Sequence, residues 1–435
     1  MRLALNKKPF IAQSLALSVA ALMMTTTHAA TKEQQELAQL RAEVAELKAL
    51  MQQQQQVQQQ QAVQIQQVKA QPAPVKAESP LSSFKSKSGA DINLYGFVRG
   101  DANYIIEGAD GDFNKVASSD GQTKDKLRAT AKTTRLGLDF NTNVGGDNKL
   151  GGKVEVDFAG STTDSNGALR IRHAYLTYNN WLFGQTTSNF LSNHAPEMID
   201  FGTNVGGGTT RIPQVRYGFN LAPATKLFIA AEEGNSSATE RNAANTANVA
   251  SDVKYSLPVL TAKLTQGFAD GKGSVSARAL VENYKSADDS DTAWGLAAGV
   301  NYQVMDPLKI SADVSYVDGN SNYLYGSNSS YVVDGANGKI AQNEAFGVQV
   351  GGTYKFNEKL RSTLAYGALF ADDSTDYATL NPTANEEVYQ AWINFIYPPV
   401  KPLDLGVEYI NGKRDTFAGE SKKDNRVGLM AKYSF

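Results

Sequence analysis

Seven basic side chains stand where they could meet an anion. Arg99, Arg135, Lys153, Arg216 and Arg278 occupy the polar phase of stretches in which apolar and polar residues alternate, and Arg170 and Arg172 open the run RIRHAY. A guanidinium is a planar fork of N–H donors that matches both oxygens of a carboxylate. Several on one surface make a field for small negatively charged solutes rather than a reaction centre. Bond-making chemistry has little to work with here. The chain has no Cys, and of its 3 His, His28 falls in the N-terminal leader, His173 in an alternating run and His194 in a connection. Neither of the last two has a catalytic partner at motif spacing, so no enzyme is expected. Asp110–Gly111–Asp112 and Asp288–Asp289–Ser290–Asp291 cluster oxygens but lack the Gly and distal Glu spacing of a calcium loop. No metal and no cofactor are expected.

Alternation decides where those side chains point. Ile92, Leu94, Val98 and Tyr104 oppose Asn93, Arg99, Asp101 and Asn103, Leu136, Leu138 and Phe140 oppose Arg135, Asp139 and Asn141, and Val154, Val156 and Phe158 oppose Lys153, Glu155 and Asp157. That period of two marks strands between unlike environments, and it recurs over 91–435 with no helical segment. Short connections (145–149, 179–180, 222–225, 269–273, 305–307, 357–359, 398–402) take turns with long ones (108–131, 188–210, 234–257, 319–342, 371–385). Short turns at one rim and long loops at the other are the pattern of an outer-membrane barrel. The fold class expected is an all-β transmembrane barrel of about 16 antiparallel strands, with residues 251–257 left in a loop to keep the number even.

The last strand, 425–435, alternates up to a terminal Phe435 with Tyr433 two residues earlier. In hydrocarbon an unpaired edge is costly, so this strand must pair with the first. Aromatic residues near strand ends, such as Tyr178, Trp181, Tyr354 and Tyr397, suit the two membrane interfaces. A barrel of this size is too wide for side chains to fill and leaves an aqueous channel.

Connection 188–210, SNFLSNHAPEMIDFGTNVGGGTT, contains Phe190, Leu191, Met198, Ile199 and Phe201, odd choices for a loop in water. Folded into the barrel it would bury them, narrow the bore and bring Phe190, His194, Glu197 and Asp200 to a constriction. Its position resembles the inward-folded third loop of trimeric porins; the alternative is an external loop at a subunit contact. The wall opposite should then supply positive charge. By the alternation Arg99, Arg135, Lys153, Arg216 and Arg278 face the lumen. Arg170 and Arg172 share the parity of Ala174, Leu176 and Tyr178, so they face outward above the membrane or inward past a bulge.

Arg2, Lys7 and Lys8 precede a mostly apolar run over 10–24 and small residues near 27–30, the order of a signal peptide spanning 1–30. Over 31–68 the period becomes seven: Leu37, Leu40, Val44, Leu47 and Met51 form a seam that continues through Gln54, Gln58 and Gln61 to Ile65 and Val68. This is a coiled coil and implies self-association, the alternative being a Gln-rich disordered tract. Residues 69–90, with Pro72, Pro74 and Pro80, form a semi-extended linker before the barrel at 91–435. With 42 basic against 44 acidic residues, no surplus of positive charge is available for phosphates, and no nucleic-acid partner is expected.

The signal peptide, the Gln-rich heptads, the Pro-containing linker, the opening strand INLYGFVRGDANY and the segment IRHAYLTYNNWLFGQTTSNF together resemble the DcaP-like outer-membrane porins over essentially the whole chain. The resemblance implies a homotrimer of sixteen-stranded channels in the bacterial outer membrane with a periplasmic coiled-coil helix. It also implies passive uptake of dicarboxylates and related small anions. Expected contacts are outer-membrane lipid, small anionic solutes and, through the N-terminal segment, the cell wall. A general porin without preference and a structural protein tying the barrel to the cell wall are the other readings.

Overall fold

The computed structural model describes residues 83–160, 167–192, 194–208, 210–234, 238–249 and 253–435. The signal peptide, the heptad segment with Leu37, Leu40, Val44, Leu47 and Met51, and residues 69–82 of the linker lie outside them. Ser83–Lys85 pairs antiparallel with Asp91–Asn93 ahead of the barrel.

The alternating runs fold as strands. They are β1 (Asp91–Gly108), β2 (Thr123–Thr130 and Arg135–Asn143), β3 (Lys149–Asp157), β4 (Arg170–Tyr178), β5 (Trp181–Thr187), β6 (Arg211–Ala222), β7 (Thr225–Glu232) and β8 (Val259–Phe268). The second half comprises β9 (Gly273–Lys285), β10 (Ser290–Met305), β11 (Leu308–Asp318), β12 (Glu344–Asn357), β13 (Leu360–Ala371), β14 (Asn385–Val400), β15 (Leu403–Thr416) and β16 (Ser421–Ser434). Each pairs antiparallel with its neighbours in sequence. β16 returns to β1, from Phe97 opposite Ser434 to Tyr104 opposite Val427. Beyond the strand itself, Gly96 and Phe435 exchange both backbone hydrogen bonds, at 3.2 and 3.1 Å. The result is a closed antiparallel barrel of 16 strands.

β2 departs from expectation. Its second piece pairs with Asp91–Phe97, and its first piece, within the stretch expected to be a loop at 108–131, continues the ladder against Asp101–Gly108. Only 109–122 is loop. The sequence TKDKLRAT hid this strand because three charges fall on consecutive positions and Asp125 takes a positive φ of 50°, which interrupts the alternation.

Seven turns of two to five residues join the strands at one rim. The opposite rim carries the long loops, although 286–289 and 417–420 are short. Described residues 253–257 belong to a loop, touching the barrel through one bridge between Lys254 and Lys285. The loops have structure of their own: Ala238–Arg241, Asn248–Val249, Tyr331–Val333 and Ile340–Gln342 form a small sheet, and Tyr284 stacks on Tyr331 with ring centroids 4.1 Å apart. Where no helix was expected, the described residues include a short α-helix, α1 (Asp376–Leu380), capped by the Thr375 hydroxyl.

The barrel is apolar outside and polar inside. Leu94, Val98, Leu136, Val154, Leu296, Leu364, Ile393 and Leu429 are exposed, whereas Asp101, Glu155, Gln349, Asn394, Glu408 and Arg426 are buried. In water that outer surface would drive aggregation; in hydrocarbon it is solvated. Removal of Tyr433–Phe435 unpairs the end of β16 from Val98, Phe97 and Gly96. The shortened chain should refold to a much smaller heat-modifiable fraction on gel electrophoresis; an undiminished fraction would show that the seam does not depend on these residues.

Candidate functional site

Loop 188–210 turns into the barrel. Phe190, Leu191, Ile199 and Val205 are buried, and Phe190 meets Tyr323 edge-on at 5.7 Å. Polar wall residues hold the loop backbone. Glu232 accepts from the Asn189 amide at 2.9 Å, Lys263 donates to the Leu191 carbonyl at 3.0 Å, and Arg278 donates to the Phe190 carbonyl at 3.2 Å. Farther along, Trp392 and Asn394 donate to the Glu197 carbonyl at 3.1 and 3.0 Å, and Glu408 accepts from the amides of Ile199 and Asp200 at 2.8 and 2.9 Å. Gln390 and Gln349 secure Gly202 and Val205. Gly206 has φ +76°, and a side chain there would strike the backbone of Val348 and Ala368, so the Gly-rich end of the loop lets main chain lie directly on the wall. These tethers come from β7, β8, β9, β12, β14 and β15, and Arg99 of β1 and Arg361 of β13 add two more. Among the described residues, the one hydrogen bond from the β2–β6 arc is a long 3.5 Å approach of Arg216 to Asn189.

Two of the basic residues expected at the pore surface are loop anchors instead. Arg99 is 5% exposed, binds Asp101 at 2.6–3.0 Å, donates to the Ile199 carbonyl at 2.5 Å and lies 4.4 Å from the Phe201 ring centroid. Arg278 is 3% exposed and binds both oxygens of Asp313 at 2.8 and 2.6 Å. A buried guanidinium requires a counter-charge, and alternation places Asp101 on the same face two residues on. The acids of the loop differ from expectation as well. Glu197 is held by a forked pair with Arg361 at 2.9–3.1 Å. Asp200 is 1% exposed and faces the wall, accepting from Gly202 at 2.7 Å and Asn114 at 2.9 Å; burial pushes its carboxyl up to about 6 against the pull of Arg426. His194 is buried between Ser274 and Ser276 at 3.3 and 3.4 Å, and burial followed by the Arg278 charge lowers it to about 4, so it is neutral at pH 7.

The uncovered arc, β2–β6, carries the remaining predicted cations. Lys153 lies 4.8 Å from the Tyr95 ring centroid and Arg216 5.5 Å from that of Phe228, and neither has a carboxylate partner among the described residues. Arg135 lies over Phe97 at 5.0 Å and approaches Glu155 at 3.4 Å. The two ambiguous arginines face inward past a bulge: the β3–β4 register shifts between Glu155 and Val156. Arg170 reaches Asp157 at 2.6 Å, and Arg172 reaches Glu155 and Asp157 at 2.8 and 2.9 Å.

Between this arc and the loop lies a cavity of 340 Å³ whose basic lining is Lys115, Arg128, Lys132, Arg170, Arg172 and Arg211. Arg211 was not legible. It has the parity of the outward Val215, sits at the very start of β6, and has no carboxylate within bonding distance among the described residues. Lys115 and Arg128 fell in the stretch 108–131 taken for loop, and Lys132 lies just past its end. The acidic DGD segment meets them directly: Asp110 pairs with Lys126 at 2.8 Å, and Asp112 with Arg128 and Lys132, both at 3.2 Å.

Glu408→Gln tests the loop anchoring. An amide nitrogen cannot accept, so one of the Ile199 and Asp200 N–H groups loses its partner, at a cost of about 1–3 kcal/mol. Lower thermal stability and noisier open-channel current are expected in a planar bilayer. Wild-type values of both would contradict the tethering role.

The model of the DcaP outer membrane protein family matches residues 23–435. The crystal structure of the outer membrane channel DcaP of Acinetobacter baumannii is 71% identical with a TM-score of 0.77, over 82% of this chain and 100% of that one. OmpT of Vibrio cholerae (14% identity, TM-score 0.52, 81% and 99% of the two chains) shares the fold. So does an anion-selective porin from Comamonas acidovorans (12%, 0.52, 80% and 100%). No curated protein matches the sequence. A family match over nearly the whole chain, on a closed barrel with a loop folded into its bore, makes this chain a member of the DcaP family of outer membrane channels.

Proposed function

We propose that the chain is a passive diffusion channel selective for small anions, dicarboxylates among them, and that the β2–β6 arc is the selecting surface. One observation carries this. The cations behind the loop, Arg99 and Arg278, are matched by Asp101 and Asp313, whereas Lys153, Arg211 and Arg216 on the open arc have no carboxylate partner among the described residues. Unmatched charge in a narrow bore with low-dielectric walls focuses the field and enriches anions. Arg170 and Arg172 add donors that share Asp157, so a solute carboxylate can exchange with a resident one.

The proposal extends to assembly. A homotrimer is supported by family membership, by the heptad seam through Leu37, Leu40, Val44, Leu47 and Met51, and by the trimer form of Vibrio cholerae OmpT, a protein of the same fold. The segment 31–68 would then be a periplasmic coiled coil, joined to the barrel through the linker 69–90 and able to contact the cell wall.

Reversal potentials in a salt gradient test selectivity. The wild type should favour chloride over potassium, and replacing Lys153, Arg211 and Arg216 together by Gln should bring the permeability ratio close to one. An unchanged ratio would place selectivity elsewhere. Succinate should block the wild-type current saturably; conductance without block would leave a general porin.

A further inference from the structure

We infer that the surface loops build a second filter, one for size, across the outer mouth of the bore, and that Arg241 is the clasp that closes it. The filter acts on any solute, charged or not, and depends only on the barrel being a channel. Ala238–Glu240, in the connection after β7, pairs in parallel with Tyr331–Val333, in the connection after β11. A parallel pair cannot come from one hairpin, so two loops must meet to make it. Ile340–Gln342 extends the sheet, and Tyr284, Ala293, Tyr331, Val333 and Ile340 form an apolar core with it. Buried apolar contact of this kind fixes the shape of loops that would otherwise move freely.

The contacts run across the bore rather than along the rim. From β7 to β13 is six steps round a ring of sixteen strands, close to a diameter, yet Arg241 of the β7–β8 connection reaches α1 of the β13–β14 connection. Its guanidinium donates to the Leu380 carbonyl at 2.6 Å and to the Asn381 side-chain oxygen at 2.9 Å. Leu380 is the last residue of the helix, where carbonyls lack intrahelical partners and the dipole is negative, so a cation suits it. The β11–β12 connection binds the pieces together. Ser329 meets the Tyr377 hydroxyl of α1 at 2.7 Å, Asn328 bonds both backbone groups of Asn385 at the head of β14 at 2.8 Å, and Tyr323 donates to Glu232 on β7, four strands away, at 3.0 Å. The same connection rests on the constriction loop, where the Tyr325 backbone donates to the Gly207 carbonyl at 2.7 Å and accepts from Gly206 at 3.3 Å. The cap thus covers the side of the bore away from the β2–β6 arc, and a solute from outside must pass the opening that it leaves.

The test is the size of neutral polyethylene glycol that can enter. It is read from the fall in single-channel conductance as polymers of increasing mass are added to each side of the bilayer in turn. Arg241→Ala should raise the largest mass that enters on one side only, that of the loops, because the constriction keeps its own tethers. Tyr377→Phe, which loses the Ser329 contact but keeps the ring, should shift the cut-off the same way by less. Its reversal potential in a salt gradient should stay at the wild-type value, which separates this filter from selection by charge. Heat-modifiable migration establishes that each variant is folded. An unchanged cut-off on both sides in both variants overturns the size filter and leaves the anion channel standing. Equal rises on the two sides would mean that the constriction itself had loosened, and would overturn the cap as a separate filter.

Discussion

Every backbone N–H and C=O of this barrel must be paired inside hydrocarbon, and the rest of the molecule follows from that requirement. The pairing of β16 with β1, carried to the last residue by Gly96 and Phe435, leaves no open edge. Closure of sixteen strands sets a bore that side chains cannot fill. It also fixes the two faces, because each strand presents apolar residues to lipid and polar ones to the lumen. A loop is then the available means of narrowing the channel.

That loop lies along one side, held from β7 round to β1, and its attachment consumes charge. Arg99 with Asp101 and Arg278 with Asp313 are ion pairs in the interior. Such pairs add little net stability against their desolvation, but breaking one is costly, so they fix geometry. On the opposite arc Lys153, Arg211 and Arg216 have no carboxylate partner among the described residues. Under the proposed function, selectivity rests on which basic residues the loop covers rather than on how many the chain contains.

The period of two revealed the strands, the inward face and the apolar loop that would not stay in water. It could not reveal partners. Arg99 and Lys153 look alike in sequence, since both are basic residues on an inward phase. Only the fold places Asp101 and the Ile199 carbonyl against Arg99 and the Tyr95 ring against Lys153. Irregularities defeated the pattern in both directions. A bulge turned Arg172 inward, Asp125 disguised a strand as loop, and Arg211 reached the cavity from a strand end where parity pointed to lipid. The anchoring acid Glu408 carried no signal, being one inward carboxylate among several.

The central claim is that the loop shields one side of the bore and leaves the other open to anions. The chain has no native Cys, so single cysteines report on this directly. Lys153→Cys and Arg278→Cys, each treated with a small negatively charged thiol reagent while current is recorded, should differ sharply. Rapid modification with loss of conductance at 153 and protection at 278 is the expected result. Equal rates at the two positions would mean that the loop does not divide the channel.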